Sequence, residues 1–270
     1  MRSEYGGRPV AQNKQIHLPL AQSQLGLPAT LRTDAWWAGP ALTFVVLSGF
    51  IVYATWRAFE GARYEWGPYL SPFYSPFFDV SWAKGWGLGF FTPAMLILPG
   101  PASFRFTCYY YRKAYYRAFA FDPPGCAIAE KSPHGYSGET RLLLFQNLHR
   151  FAMYIAVIFL LILWKDAILA LVAWKDGVHV GLGTVVMFTN CLLLSGYTFG
   201  CHSFRHLIGG SVNSYSTASL GAVRHRLWKL VTVLNERHMP LAWCSLFSVA
   251  LTDLYIRTVA AGSITDLRFF

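Results

Sequence analysis

Charge is what this sequence has least of. Only 13% of its 270 residues are Asp, Glu, Lys or Arg, where a soluble domain carries about a quarter. Twenty-three basic and thirteen acidic side chains cannot clothe a globule that also holds 10 Trp, 15 Tyr and 21 Phe without leaving large apolar patches. A water-soluble enzyme is thereby excluded. Cysteine is scarce as well: Cys108, Cys126, Cys191, Cys201 and Cys244 show no CxxC spacing, which speaks against ferredoxin-type ligation and a disulfide framework. A Rossmann fingerprint, an inverted repeat of the transporter kind and low-complexity tracts are also missing. Residues 1–34 lack the apolar core of about 7 to 15 residues that a secretory signal needs, so they read as a tail.

Long uncharged runs take the place of what is lacking. Ala35 to Trp56 is 22 residues without a charge, enough at about 1.5 Å per residue to cross the hydrocarbon core. Gly85 to Phe104 is a second run, interrupted by Pro93, Pro99 and Pro101 and therefore expected to kink. The third, Phe151 to Trp174, is broken only by Lys165-Asp166, and the fourth runs from Val178 to Phe204. The fifth starts at Met239-Pro240, where proline suits a first helical turn. The expectation is an all-α membrane protein: a tail over 1–34, a domain over 35–260 with five helices near 35–58, 85–118, 142–174, 178–207 and 239–260, and a short tail over 261–270. Tyr64 to Trp86, rich in Pro, Tyr, Phe and Trp, reads as an interfacial lid.

The positive-inside rule gives the direction. With the amino terminus in the cytoplasm, sixteen Lys and Arg fall inside and seven outside, while the acidic residues divide six and seven, so the whole excess of +10 lies on one face. The expected topology is multi-pass in the plasma membrane, basic face cytoplasmic and carboxyl terminus outside. The mixture of Arg112, Lys113 and Arg117 with Tyr109, Tyr110, Tyr111, Tyr115 and Tyr116 imitates a nucleic-acid platform, but a helix emerging among headgroups beside a docked protein accounts for it, and no nucleic acid is expected. Arg224, Arg226 and Lys229 with Leu227, Trp228, Leu230 and Val231 read as a basic amphipathic helix along the inner surface.

Metal-ligating side chains recur at one depth. Cys108 ends the second run, His149 enters the third, Cys201, His202 and His206 leave the fourth, and His238 precedes the fifth. A lone intramembrane histidine is more often a packing residue; imidazoles at matching depth on separate helices point to a redox centre. Two such centres fit the inventory: haem b between two histidines, or a Rieske-type [2Fe-2S] cluster with two thiolates and two imidazoles. Cys201 points about 100° away from His202 on a continuous helix, so a mixed site there requires the helix to end, for which Gly209-Gly210 offers a place. Cys126, in a Pro-Pro-Gly-Cys loop, is a further thiol, and Cys191 and Cys244 read as small apolar residues.

These residues carry a resemblance. The segments Thr107-Cys108-Tyr109-Tyr110-Tyr111-Arg112-Lys113, Gln146-Asn147-Leu148-His149-Arg150, Cys201-His202-Ser203-Phe204-Arg205-His206 and Asn235-Glu236-Arg237-His238-Met239 resemble the single-chain membrane anchor of bacterial succinate dehydrogenase, respiratory complex II. The likeness runs from about Arg32 to Arg257 and includes the segment from Tyr69 to Pro76 and the one from Leu251 to Tyr255. It implies an anchor that docks a flavoprotein subunit and an iron-sulfur subunit, the dicarboxylate site lying on another chain, and passes electrons to quinone, with menaquinone the first expectation and a higher oligomer of the complex allowed. A quinone ring needs hydrogen-bond donors and a proton route in an apolar slot, for which Ser203, Arg205, Trp228 and Glu236 are the candidates. The alternatives are a cofactor-free anchor and a fumarate reductase anchor working in reverse.

Overall fold

The computed structural model describes residues 30, 32–129, 142–174 and 177–269; most of the expected tail over 1–34 lies outside them. The chain is mostly helical. In order come α1 (Ala38–Glu60), a two-stranded hairpin of β1 (Glu65–Trp66) and β2 (Tyr69–Leu70), α2 (Ser81–Gly85), α3 (Pro93–Ile97), α4 (Pro99–Thr107) and α5 (Tyr109–Tyr115). A π-helical turn, Tyr116–Ala120, follows, then α6 (Leu142–Val172), α7 (Leu182–Phe199), α8 (His202–Arg205), a second π-helical turn, His206–Gly210, α9 (Gly221–Glu236) and α10 (His238–Ala260). Among the described residues four helices are long and apolar enough to cross a bilayer: Ala38–Glu60, Leu144–Val172, Leu182–Phe199 and His238–Ala260. Their exposed Leu, Ile, Val and Phe side chains suit lipid.

The second apolar run is a relay of short helices rather than one long one. Pro93 and Pro99 each open a new helix in its first turn, where the missing N–H was without an intrahelical acceptor anyway. The chain breaks again at Cys108, whose backbone is extended (φ −61°, ψ 127°) between α4 and α5. The relay leans on α6, which packs in turn on α7, and α7 packs on α10.

Polar residues fasten the end of the bundle away from Cys108. Asp253 on α10 is fully buried and accepts from Tyr53 Oη of α1 at 2.6 Å, from Ser71 Oγ, and from Arg257 Nε at 2.9 Å. Arg257 reaches on to Glu60 at 3.1 Å and the Ala62 carbonyl at 2.6 Å, and Arg57 bonds Glu60 at 2.5 Å. Two cations and two carboxylates thus compensate one another where desolvation would otherwise expel them. The segment expected as a lid takes part in the packing: Tyr69, Ser71 and Tyr74 are completely buried and Phe73 nearly so. Tyr69 Oη donates to Asp266 at 2.8 Å; burial, with the Asp266 carboxylate beside it, pushes that phenol up to about 12 and keeps it a neutral donor. Asp166, the acid of the pair that interrupts the third run, is buried and held by Ser75 Oγ.

Candidate metal centre and the family of the chain

Two cysteines at twin helix breaks organise the site. Helix α7 stops at Phe199, Gly200 turns the chain, and Cys201 is extended (φ −66°, ψ 143°) before α8 starts at His202. Cys108 has nearly the same conformation between α4 and α5. Each break is followed by a short helix and a π-helical turn. The fourth run therefore ends at Gly200, well before the Gly209-Gly210 pair expected from sequence. Only glycine fits at that turn: a Cβ on Gly200 would lie 2.7 Å from the Gly196 carbonyl oxygen and 3.0 Å from that of Leu234. Asn235 Nδ2 occupies the freed Gly200 carbonyl at 2.7 Å, so α9 and the break hold each other. In this conformation the Ser203 N–H donates to Cys201 Sγ at 3.3 Å, a bond that orients the sulfur and would support it as a metal-bound thiolate.

An imidazole stands against each thiol. His149 Nε2 lies 3.0 Å from Cys201 Sγ, and His238 Nε2 lies 3.6 Å from Cys108 Sγ. Both histidines and both cysteines are buried. The other nitrogen of His149 is 2.9 Å from Thr107 Oγ1, whose single hydrogen goes to the Ser103 carbonyl at 2.7 Å. Thr107 must then accept from Nδ1–H, which leaves Nε2 with its lone pair toward the thiol. His238 Nδ1 is buried with no hydrogen-bond partner among the described residues. Phe104 stacks on His149 at 4.8 Å between ring centres, and Tyr197 stacks on His238 at 4.9 Å. Arg105 ties the relay to α10 through Tyr111 Oη at 2.6 Å, the Ala242 carbonyl at 3.2 Å and Ser245 Oγ at 3.0 Å. That tie holds His238, one turn before Ala242, beside Cys108.

The donor set decides what such a place can hold. Among the described residues no three thiol, imidazole or carboxylate groups gather as a single ion requires; the donors come as two thiol–imidazole pairs. Two sulfurs, two nitrogens and an orphaned buried ring nitrogen fit a two-iron group. They fit haem less well, because each imidazole edge already meets a thiol, where a macrocycle would need that space.

The remaining candidates from sequence lie elsewhere. His202 and His206 are exposed and line a polar cavity of about 670 Å³ with Arg112, Gln146, Asn147, Arg150, Ser203 and Arg205, and one side of His149. Partial desolvation at the cavity wall, with Arg205 nearby, lowers the pKa of His202, and Arg150 reaches His206 Nδ1 at 3.2 Å. Trp228 lies under the Arg205 guanidinium at 4.3 Å, behind that cavity, and Glu236 is exposed at the end of α9. Cys126 is exposed in its loop, Cys191 is buried against α6 and α10, and Cys244 is exposed on α10. Sequence reasoning passed over Phe104, Arg105, Thr107, Tyr111 and Tyr197. Thr107 adjoins Cys108, and Tyr197 lies one turn before Cys201, so spacing from the thiols was the available signal.

A family model described as actinobacterial succinate dehydrogenase subunit SdhC matches residues 38–262. The chain belongs to that family. The solved Mycobacterium smegmatis Sdh1 complex in the apo form contains a chain 44% identical, matched over 89% of this chain and 94% of that one with a TM-score of 0.78. No curated protein matches. As an SdhC subunit the chain is the membrane anchor of succinate dehydrogenase, complex II: it associates with the other subunits and the bilayer, and the dicarboxylate is oxidised on another chain.

Proposed function

We propose that this SdhC subunit relays electrons from its docked partners to quinone through a Rieske-type [2Fe-2S] centre held by Cys108, Cys201, His149 and His238. The observation that carries the reading is a thiol at 3.0 Å and 3.6 Å from each of two buried imidazoles. Such a centre supplies one-electron transfer at a potential raised by its imidazole ligands. The chain's own residues do the rest. Thr107 fixes the His149 tautomer, the Ser203 N–H supports the Cys201 thiolate, and the rings of Phe104 and Tyr197 keep water from the imidazoles. The topology is read as five crossings, with 93–120 forming the second in broken form, the amino terminus cytoplasmic and the carboxyl terminus outside. The polar cavity then opens on the cytoplasmic face, where Arg150 and Arg205 suit an acidic docking surface. A quinone ring, menaquinone in the first instance, reaches that cavity, with Ser203 and Arg205 donating to its carbonyls, Trp228 backing Arg205, and Glu236 and the solvent-facing His202 and His206 relaying protons. These two histidines stay outside the ligand set.

Electron paramagnetic resonance of the succinate-reduced complex tests the assignment. A Rieske-type signal that disappears in Cys108→Ser supports it. A reduced haem α-band in the optical spectrum, or the absence of both signatures from intact complex, refutes it.

A further inference from the structure

Arg105, on the last turn of α4, is a cation that only neutral groups hold among the described residues: Tyr111 Oη, the Ala242 carbonyl and Ser245 Oγ. Its guanidinium lies over two tyrosine rings, 4.7 Å from the centre of Tyr197 and 5.6 Å from that of Tyr111. No carboxylate among the described residues comes within ion-pair reach of it; Glu60 and Asp253 serve Arg57 and Arg257 at the other end of the bundle. Its remaining side meets hydrocarbon. Arg105 is the only charged group among those lining a cavity of about 490 Å³ walled by residues such as Phe50, Phe159 and Leu194. A cation kept inside a membrane domain is costly and calls for a compensating anion. The groups nearby that can supply one are sulfurs: the Tyr197 ring beside Arg105 also stacks on His238 at 4.9 Å, and His238 Nε2 is 3.6 Å from Cys108 Sγ.

We propose that Arg105 is the counter-charge that sets the reduction potential of the two-iron centre, stabilising the electron the centre receives. The inference rests on the Rieske-type reading given above. Two ferric ions, two sulfides, two thiolates and two neutral imidazoles sum to zero charge. One electron from the docked partner turns one ferric ion ferrous and leaves the centre at −1; no bond forms, no proton moves, and the same electron departs to quinone. The guanidinium therefore faces a unit negative charge in the reduced state alone. Attraction across an apolar interior is screened far less than in water, so it favours reduction. Net charge and burial are among the levers that set the potential of an iron-sulfur group, and Arg105 supplies the charge from a position that the neutral ties to Tyr111 and α10 hold fixed.

The test is a redox titration of the intact complex, followed through the paramagnetic resonance of the centre. Arg105→Gln removes the charge and keeps an amide to bond Ser245. It should lower the midpoint potential by at least about 59 mV, a tenfold shift in the ratio of reduced to oxidised centre. Arg105→Lys keeps the charge without the fork and should stay within about threefold of the native ratio. Ser245→Asp brings a carboxylate to Nη2 with the arginine still in place, and should lower the potential as Arg105→Gln does. Iron bound per complex, measured alongside, shows whether the tie to α10 survived, and Ser245→Asp carries the test where Arg105→Gln loses the centre. Equal falls in the glutamine and lysine variants would make Arg105 a structural tie and overturn the proposal. A native potential in Arg105→Gln or Ser245→Asp would overturn it too, even with quinone reduction lost, since the guanidinium would then act on the substrate. Native complex without a Rieske-type signal sinks the centre and this inference with it, whereas a Rieske-type signal whose potential ignores the charge changes sinks this inference alone.

Discussion

Replacing Thr107 by valine removes one oxygen and keeps the shape of the side chain. In the native arrangement that oxygen donates to the Ser103 carbonyl and accepts from His149 Nδ1, so valine strands a ring N–H in a residue only 7% exposed. The cost of such a stranded donor is about 1–3 kcal/mol, roughly a factor of 5 to 150 in the population of the ring orientation that presents Nε2 to Cys201. Loss of a partner behind a ligating histidine typically lowers metal affinity about 10- to 100-fold, which agrees with that range. The expected outcome is a fall in iron bound per complex beyond the centres of the partner subunits, together with a weakened Rieske-type signal. Quinone reduction should fall in step, while succinate oxidation by an artificial soluble dye stays intact. Thr107→Ser, which keeps the hydroxyl, should restore most of the loss. Iron content and spectrum unchanged in Thr107→Val would refute the tautomer argument and with it the assignment of Nε2 as the ligating nitrogen.

His238→Ala should lower quinone reduction while sparing succinate-to-dye activity; equal loss of both would indicate failed assembly rather than a broken relay. Gly200→Ala drives a methyl group into the carbonyls of Gly196 and Leu234, so we expect the break before Cys201 to shift, with loss of the metal signal before any loss of membrane insertion, read by spectroscopy against fractionation. Asp253→Ala leaves buried Arg257 with Glu60 as its remaining carboxylate and strands the hydroxyls of Tyr53 and Ser71, a loss of about 3 kcal/mol, and should lower the thermal stability of the purified complex while the metal spectrum of the surviving protein stays native.

The long elements were legible because a bilayer makes apolar length nearly sufficient evidence of a helix. Ala38–Glu60, Leu182–Phe199 and His238–Ala260 follow from hydropathy alone. The second run was harder, since proline in an apolar segment signals equally a kink or a fresh start, and here Pro93 and Pro99 start new helices. Of the site, the donors were visible as residue types at one depth. Their pairing was not, because it depends on the turn at Gly200 and the extended cysteines, which no periodicity records. Nothing in spacing tells that His149 meets Cys201 and His238 meets Cys108, nor that His202 faces a cavity instead. The clasp around Asp253 was hidden for a related reason: Tyr53, Ser71, Asp253 and Arg257 come from three distant stretches and each alone looks ordinary.

The same clasp bears on how the first helix answers to its bilayer. Tyr53, Arg57 and Glu60 concentrate the side-chain hydrogen bonds of α1 at one extremity, while the other extremity rests on the first π-helical turn through the rings of Phe44 and Phe119. Between the two, Val45, Ile51 and Val52 face outward and meet acyl chains. A change of lipid thickness should therefore strain the aromatic contact before the ionic one.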